Sequence, residues 1–496
     1  MRAATAAIRA HSALDRVSTA DSYRQPPSAP AYARRPRRRA EWCHSSQTVS
    51  KMKKLALLSL GVAFLIAGCG ETATLPVGAG MGPTPRLPPP NKTLLPTVNI
   101  APAQGWNEGT RPLPGNGVAV SAYATGLDHP RWLHVLPNGD VLVAETNAPP
   151  KPEDNKGIRG FFMKQAMKRA GAGTPSANRI TLLRGLRDDG TAQLKTVFLE
   201  NLNSPFGMAL VGNDFYVANT DAVVRYAYTP GQTKIEGGGT KMVDLPAGPL
   251  NHHWTKSLIA SPDGSKLYAT VGSNSNVAEH GMAVEEGRAA IWEIDRATGK
   301  SRIFASGLRN PNGMTWTAGP GGAPVLWTVA NERDEIGSDL VPDYLTSVRD
   351  GGFYGWPYSY FGQNVDERVK PSNPELVARA IAPDYALGPH TASLGLVSAE
   401  GSRLSPSLAS GVFVGQHGSW NRRPHSGYKV IFVPFVDGKP QGDAVDVLTG
   451  FLSEDGKANG RPVGVAVDKT GALLVADDVG NVIWRVTASE PKLAQR

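Results

Sequence analysis

One phrase recurs six times along the chain: a turn of small and polar residues, a short β-rich run, and a polar stretch behind it. The copies span 136–145, 210–219, 261–270, 320–331, 405–416 and 468–477. A Gly, Asn or Pro turn followed by aliphatic and aromatic residues marks a strand hairpin. Such units repeated along one chain predict a β-propeller with one copy per blade. The expected fold is therefore all-β, a six-bladed propeller of four-stranded antiparallel blades.

That architecture sorts the polar residues. The chain enters each blade along the innermost strand, beside the central channel, and works outwards. The turn into strand one and the turn out of strand two lie on the same face. The repeated phrase reads as the turn into strand two plus strand two itself. Residues just after each copy, and those about ten before it, are thus expected at one mouth of the channel.

The lead-in segments carry an echo of their own at 127–130, 202–205, 308–311 and 459–462, each ending in Pro. With 251–254 and 390–393 at the same place in blades three and five, they nominate His129, Asn203, His252, His253, Arg309, Asn310, His390 and Arg461. The strand-two exits add Glu145, Asn219, Asn274, the run 331–335, the run 416–422 and the pair Asp477 and Asp478. Cations and neutral acceptors converging on one rim suit an anionic, planar ligand with several acceptors, which Arg grips with paired donors. Trp420 offers a stacking face. Singly, each of these residues also fits ordinary turn chemistry; the convergence of several Arg and His is what marks a site.

The front of the chain reads differently. Residues 1–51 are basic and carry little apolar periodicity; they read as a non-translated or disordered leader. Met52, Lys53 and Lys54 precede an apolar run from Leu55 to Ala67, then Gly68 and Cys69. A basic start, a short apolar run and small residues make a signal peptide, here placed at 52–68. Cys69 stands where a bacterial lipoprotein is acylated, so a lipid anchor on the periplasmic side of a membrane is expected. The Pro- and Gly-rich stretch 69–117 reads as a tether, and 118–490 as the propeller. The basic residues ahead of Cys69 account for the formal net charge of +9. The remainder is neutral and offers no argument for nucleic acid. Past Cys69 there is no cysteine, so no disulfide stabilises the domain and the core must.

Four phrases then carry a family resemblance: Arg309-Asn310-Pro311-Asn312-Gly313, the run Asn331 to Glu335, Tyr354-Gly355-Trp356-Pro357, and Gly418-Ser419-Trp420-Asn421-Arg422. In this order, on successive blades, they resemble the glucose/sorbosone dehydrogenase family and its sorbosone dehydrogenase-like branch. The resemblance implies pyrroloquinoline quinone (PQQ) and calcium, and oxidation of a sugar or sugar aldehyde. It implies His253 as general base, with Arg309, Asn310, Arg422 and Arg461 holding the quinone and Asn203 standing nearest a quinone-contacting glutamine. Calcium would take the backbone carbonyls of Glu332 and Arg333. Electrons would pass to a periplasmic or membrane acceptor. The chain departs from the pattern at Val463, where the family has a second cofactor arginine, and at His252, where it has an aspartate. A segment at 161–169 reads equally as a helical lid or a surface helix.

Two other functions fit the same propeller. A calcium-dependent lactonase would use side-chain oxygens such as those of Glu145, Asn219 and Asp477 as metal ligands. A non-catalytic lipoprotein binding module would bind without turnover.

Overall fold

The computed structural model describes residues 71–91, 97–150 and 168–489. The expected leader, the signal peptide and Cys69 lie outside the described residues, as does most of the segment expected as a lid.

The six copies do build six blades. In each, the repeated phrase supplies strand two: Val141–Glu145, Asp214–Ala218, Lys266–Val271, Pro324–Asn331, Gly411–Gln416 and Leu473–Asp477. The innermost strands are Pro130–Val135, Met208–Val211, Leu258–Ala260, Asn310–Ala318, Ser393–Ser398 and Pro462–Val467. Both sets are mostly buried because each blade is covered on both faces by its neighbours. Apolar side chains on facing blades therefore merge into continuous clusters. Trp132 of blade one, Phe206 ahead of blade two and Trp254 ahead of blade three share one of them.

The ring closes with a strand from the other end of the sequence. Val118–Ala124 pairs antiparallel with Val482–Ala488 and becomes the outermost strand of blade six. The last blade thus contains the first strand of the domain, and no open edge is left between blades six and one.

The stretch expected as a tether is corrected from Glu71 onward. It lies on the propeller as a strap. Met81 and Gly82 pair with the outer strand of blade four, and Leu113 and Pro114 with that of blade five. Ala101 is fully buried, and Trp106 packs edge-on against Phe451 and Trp484. Proline does not hinder this docking, because the strap binds largely through side chains and scattered backbone groups rather than a continuous ladder.

A cavity of about 360 Å³ lies among the innermost strands, with a lining of mixed polarity. Leu133, Met208, Leu258, Met314, Leu396 and Val465 line it, one from each blade. Polar groups gather at the mouth where the strands begin.

Candidate active site at the channel mouth

The lead-in turns place their polar residues through unusual backbone conformations. His129, Ser204, Asn251 and His390 have positive φ values of 54°, 44°, 29° and 57°. This left-handed region turns the chain sharply into the innermost strand.

His253 sits ahead of blade three. Its Nδ1 lies 2.7 Å from the Ser273 carbonyl oxygen and 3.1 Å from Ser273 Oγ. A carbonyl only accepts, so Nδ1 carries the proton and Nε2 is the basic nitrogen of the neutral ring. The Ser273 amide donates to the Arg309 carbonyl at 2.7 Å, linking the two segments. Between them Gly272 permits close approach: a Cβ there would stand 2.4 Å from Asn310 Oδ1 and 2.5 Å from the His253 Cβ. Asn310 donates to Asn331 at 3.2 Å, and its buried Oδ1 has no partner among the described residues.

Arg309 is held by three acceptors. Nε donates to the Asn276 carbonyl at 3.2 Å, Nη1 to the Glu332 carbonyl at 2.7 Å and Nη2 to Asp334 at 2.9 Å. Asp334 also receives Asn421 at 2.7 Å and lies 3.4 Å from His390 Nδ1. Burial alone would raise the Asp334 carboxyl, but Arg309, His390 and Asn421 outweigh it and hold it well below the usual range. Burial pushes Glu332 up to about 7, against amide donors from Arg333 and Phe361.

A second cluster joins blades five, six and one. Asp478 receives Arg131 Nη1 at 2.5 Å and His417 Nε2 at 2.9 Å, with His129 Nε2 at 3.5 Å. Burial drives the His417 ring down to about 4, with Asp478 opposing, and lowers His129 as well. Arg461 stands beside this cluster. Its Nη1 donates to the His417 carbonyl at 3.4 Å and its Nη2 to the Ala101 carbonyl at 3.0 Å, and the guanidinium lies 4.9 Å from the Tyr428 ring centre. Among the described residues its buried Nε has no hydrogen-bond partner. Nor does any carboxylate of those residues lie within ion-pair distance of Arg461, although only 4% of the residue is exposed.

The mouth therefore gathers His253, Arg309, Asn310 and Arg461. Asn203 is exposed at the rim, its amide donating to Asn219 at 3.3 Å. Trp420 is half-buried on the loop after strand two of blade five. Arg422 is placed elsewhere: fully buried under the strap, it donates to the Pro424 carbonyl at 2.8 Å, the Leu75 carbonyl at 3.1 Å and Asp339 at 3.3 Å. Arg333 is buried against Asp366 at 2.8 Å.

Two cations escaped the sequence reading. Arg131 lies on the innermost strand of blade one, its guanidinium 5.8 Å from the Trp254 ring centre. Lys256 is fully buried and donates to the Trp254 carbonyl at 3.3 Å. The available signal was a charge within the innermost strand of blade one for Arg131 and just ahead of that of blade three for Lys256. Val463, in place of the second arginine, is fully buried in the apolar cluster with Trp132 and Trp254.

The side chains that a lactonase would use are committed. Glu145 receives Arg179 at 3.0 and 2.8 Å, along with Thr181 and the Asp128 amide. Asp477 receives Trp106 at 2.7 Å, Trp484 at 3.0 Å and the amides of Arg461 and Gly480, each at 2.8 Å. Among the described residues no group of three or more His, Cys, Asp or Glu is placed to hold a metal ion.

Residues 114–342 and 363–489 match the TrAA12-like family model, and the chain belongs to that family. Its structural neighbours fit the PQQ sugar dehydrogenases that the motifs led us to expect. A PQQ-dependent pyranose dehydrogenase of Coprinopsis cinerea is 42% identical over 222 residues, covering 37% of this chain and 30% of that protein. An uncharacterised protein of Borreliella burgdorferi is 26% identical over 303 residues, covering 58% of this chain and 76% of its own length. The iodide structure of Trichoderma reesei family AA12 aligns with a TM-score of 0.60 at 19% identity, covering 79% of this chain and 99% of that one. The holo PQQ domain of the C. cinerea pyranose dehydrogenase aligns at 0.59 and 21%, covering 78% and 100%.

The unpartnered Arg461 Nε fits an anionic quinone with several acceptors, whereas the unpartnered Asn310 Oδ1 calls for a donor. Arg309 Nη1 takes one of the two lone pairs of the Glu332 carbonyl at 2.7 Å and leaves the other open. Calcium bound there at a hundredfold excess over Kd would add about 2.7 kcal/mol to the stability of the cofactor-free protein. Calcium titration should therefore raise its Tm, and an unchanged Tm would contradict the expected carbonyl site. A second expectation concerns His417. Its lowered pKa keeps the ring neutral at pH 5, where an unfolded histidine is charged, so this group destabilises the fold as pH falls from 6.5 towards 4. Nitrogen-15 NMR should show a neutral imidazole at pH 5; an imidazolium there would refute the assignment.

Proposed function

We propose that the protein oxidises a sugar or sugar aldehyde with PQQ as its cofactor. Arg461 is the observation that carries the proposal. A buried guanidinium without a carboxylate is costly by several kcal/mol, and an anionic ligand at the mouth supplies the missing counter-charge. Arg309 and Arg461 are on hand for the cofactor's carboxylates, and each guanidinium keeps N–H groups beyond those used in the structure. Asn310 Oδ1 is an unused acceptor between Arg309 and His253.

When bound, the quinone accepts hydride from the substrate carbon. His253 takes the hydroxyl proton at Nε2, and the Nδ1 bond to Ser273 fixes that tautomer. An aldehyde would react as its hydrate, which provides the same hydroxyl. Calcium, where bound, would supply a Lewis acid toward the quinone; no step is routed through it. The lipid anchor at Cys69 and the periplasmic location complete the proposal, with the electron acceptor in that compartment or its membrane. The Ser338 amide, on the loop after strand two of blade four, donates to the Glu71 carboxylate at 2.7 Å. Two residues span at most about 7 Å, so an acylated Cys69 would hold this rim close to the lipid headgroups.

Reconstitution with PQQ followed by a dye-reduction screen against sugars and sugar aldehydes tests the activity. His253→Ala should lower kcat by about 10²–10⁴ while PQQ still binds. Unchanged turnover in that variant would remove His253 from the chemistry. For the anchor, labelled fatty acid should enter the wild type and not Cys69→Ala; equal labelling, or none in either, would reject it.

A further inference from the structure

The family match begins at residue 114, so the strap ahead of it lies outside the matched residues. The strap crosses the loops that carry the mouth. Three carbonyls of the loop after strand two of blade five accept from it. The Asn99 amide donates to Trp420 and Asn99 Nδ2 to Arg422, both at 2.8 Å, and the Ala73 amide donates to Arg423 at 2.7 Å. Within that loop Asn421 donates to Asp334 at 2.7 Å, and Asp334 receives Arg309 at 2.9 Å. Two residues beyond Asn99, the carbonyl of the buried Ala101 receives Arg461 at 3.0 Å. Trp106 holds Asp477, which in turn accepts the Arg461 amide. Both arginines of the mouth are thereby aimed by contacts that start in the strap.

We infer that Asn99 is a positioning residue for the anionic cofactor, acting through the 417–428 loop; this rests on the PQQ reading above. A half-buried asparagine that caps two carbonyls of one loop restricts that loop more than either bond alone. The loop's Asn421 then fixes the carboxylate against which Arg309 is braced. Loosening the loop leaves the blades intact, because no blade strand pairs through Asn99. Cofactor affinity should therefore respond to Asn99 more than stability does.

The test uses Asn99→Asp in the full chain, a near-isosteric change that replaces the Nδ2 donor with an acceptor facing the Arg422 carbonyl. PQQ titrated into the cofactor-free protein should show Kd raised about tenfold, with kcat at saturating PQQ and Tm unchanged. Asn99→Ala should give a smaller rise. Hydrogen exchange of the cofactor-free protein should show protection lost across 417–428 and kept in the six blades. A Kd within twofold of wild type together with unchanged exchange in that loop would overturn the inference. Protection lost throughout the blades would overturn it too, making the strap a stability element. If the wild type bound no PQQ, the proposed function would fail, and the exchange comparison alone would still decide whether Asn99 orders the loop.

Discussion

Ring closure is the constraint on which the rest depends. Val118–Ala124 pairs with Val482–Ala488, so the first and last strands of the domain share blade six. Only when that blade is complete do Asp478, Arg131 and His129 meet, from 347 to 349 residues apart in sequence. The same closure brings Arg461 to the rim opposite His253 and Arg309. A propeller closes its sheet edges through its circular arrangement, and the mouth is a by-product of that geometry.

The electrostatics of the mouth follow from burial. Asp334 and Asp478 lie almost out of solvent and stay ionised because donors converge on them. Arg309 and Arg131 take these carboxylates as partners. Among the described residues Arg461 meets carbonyls and Tyr428 but no carboxylate, which leaves its charge unbalanced. Buried charges are normally paired, so the imbalance points to a ligand rather than to stability. His129 and His417 do not add to it, since burial lowers both rings.

The repeat was readable because hairpin chemistry is local: turn residues and alternating apolar side chains need no knowledge of distant partners. It placed strand two of every blade, and through it the rim that holds His253, Arg309, Asn310 and Arg461. The strap was not readable in that way. Its prolines and glycines look like a linker, and its docking rests on single contacts such as those of Asn99, Ala101 and Trp106. Such contacts leave no periodicity. Arg422 shows the same limit: its loop motif is distinctive, yet its direction is set by Asp339 and by the Leu75 carbonyl 347 residues away. Arg131 and Lys256 were passed over because the candidates were drawn from the lead-in turns and the strand-two exits, and each lies just beyond its turn.

The central claim is that one anionic cofactor sits where the strand-one lead-ins meet the strand-two exits. A crystal structure of the protein loaded with PQQ tests it most directly. The account predicts the quinone at the mouth, with a carboxylate against Arg461 and the ring system beside His253. PQQ bound away from that mouth, or Arg461 left without an anionic partner in the loaded protein, would contradict it.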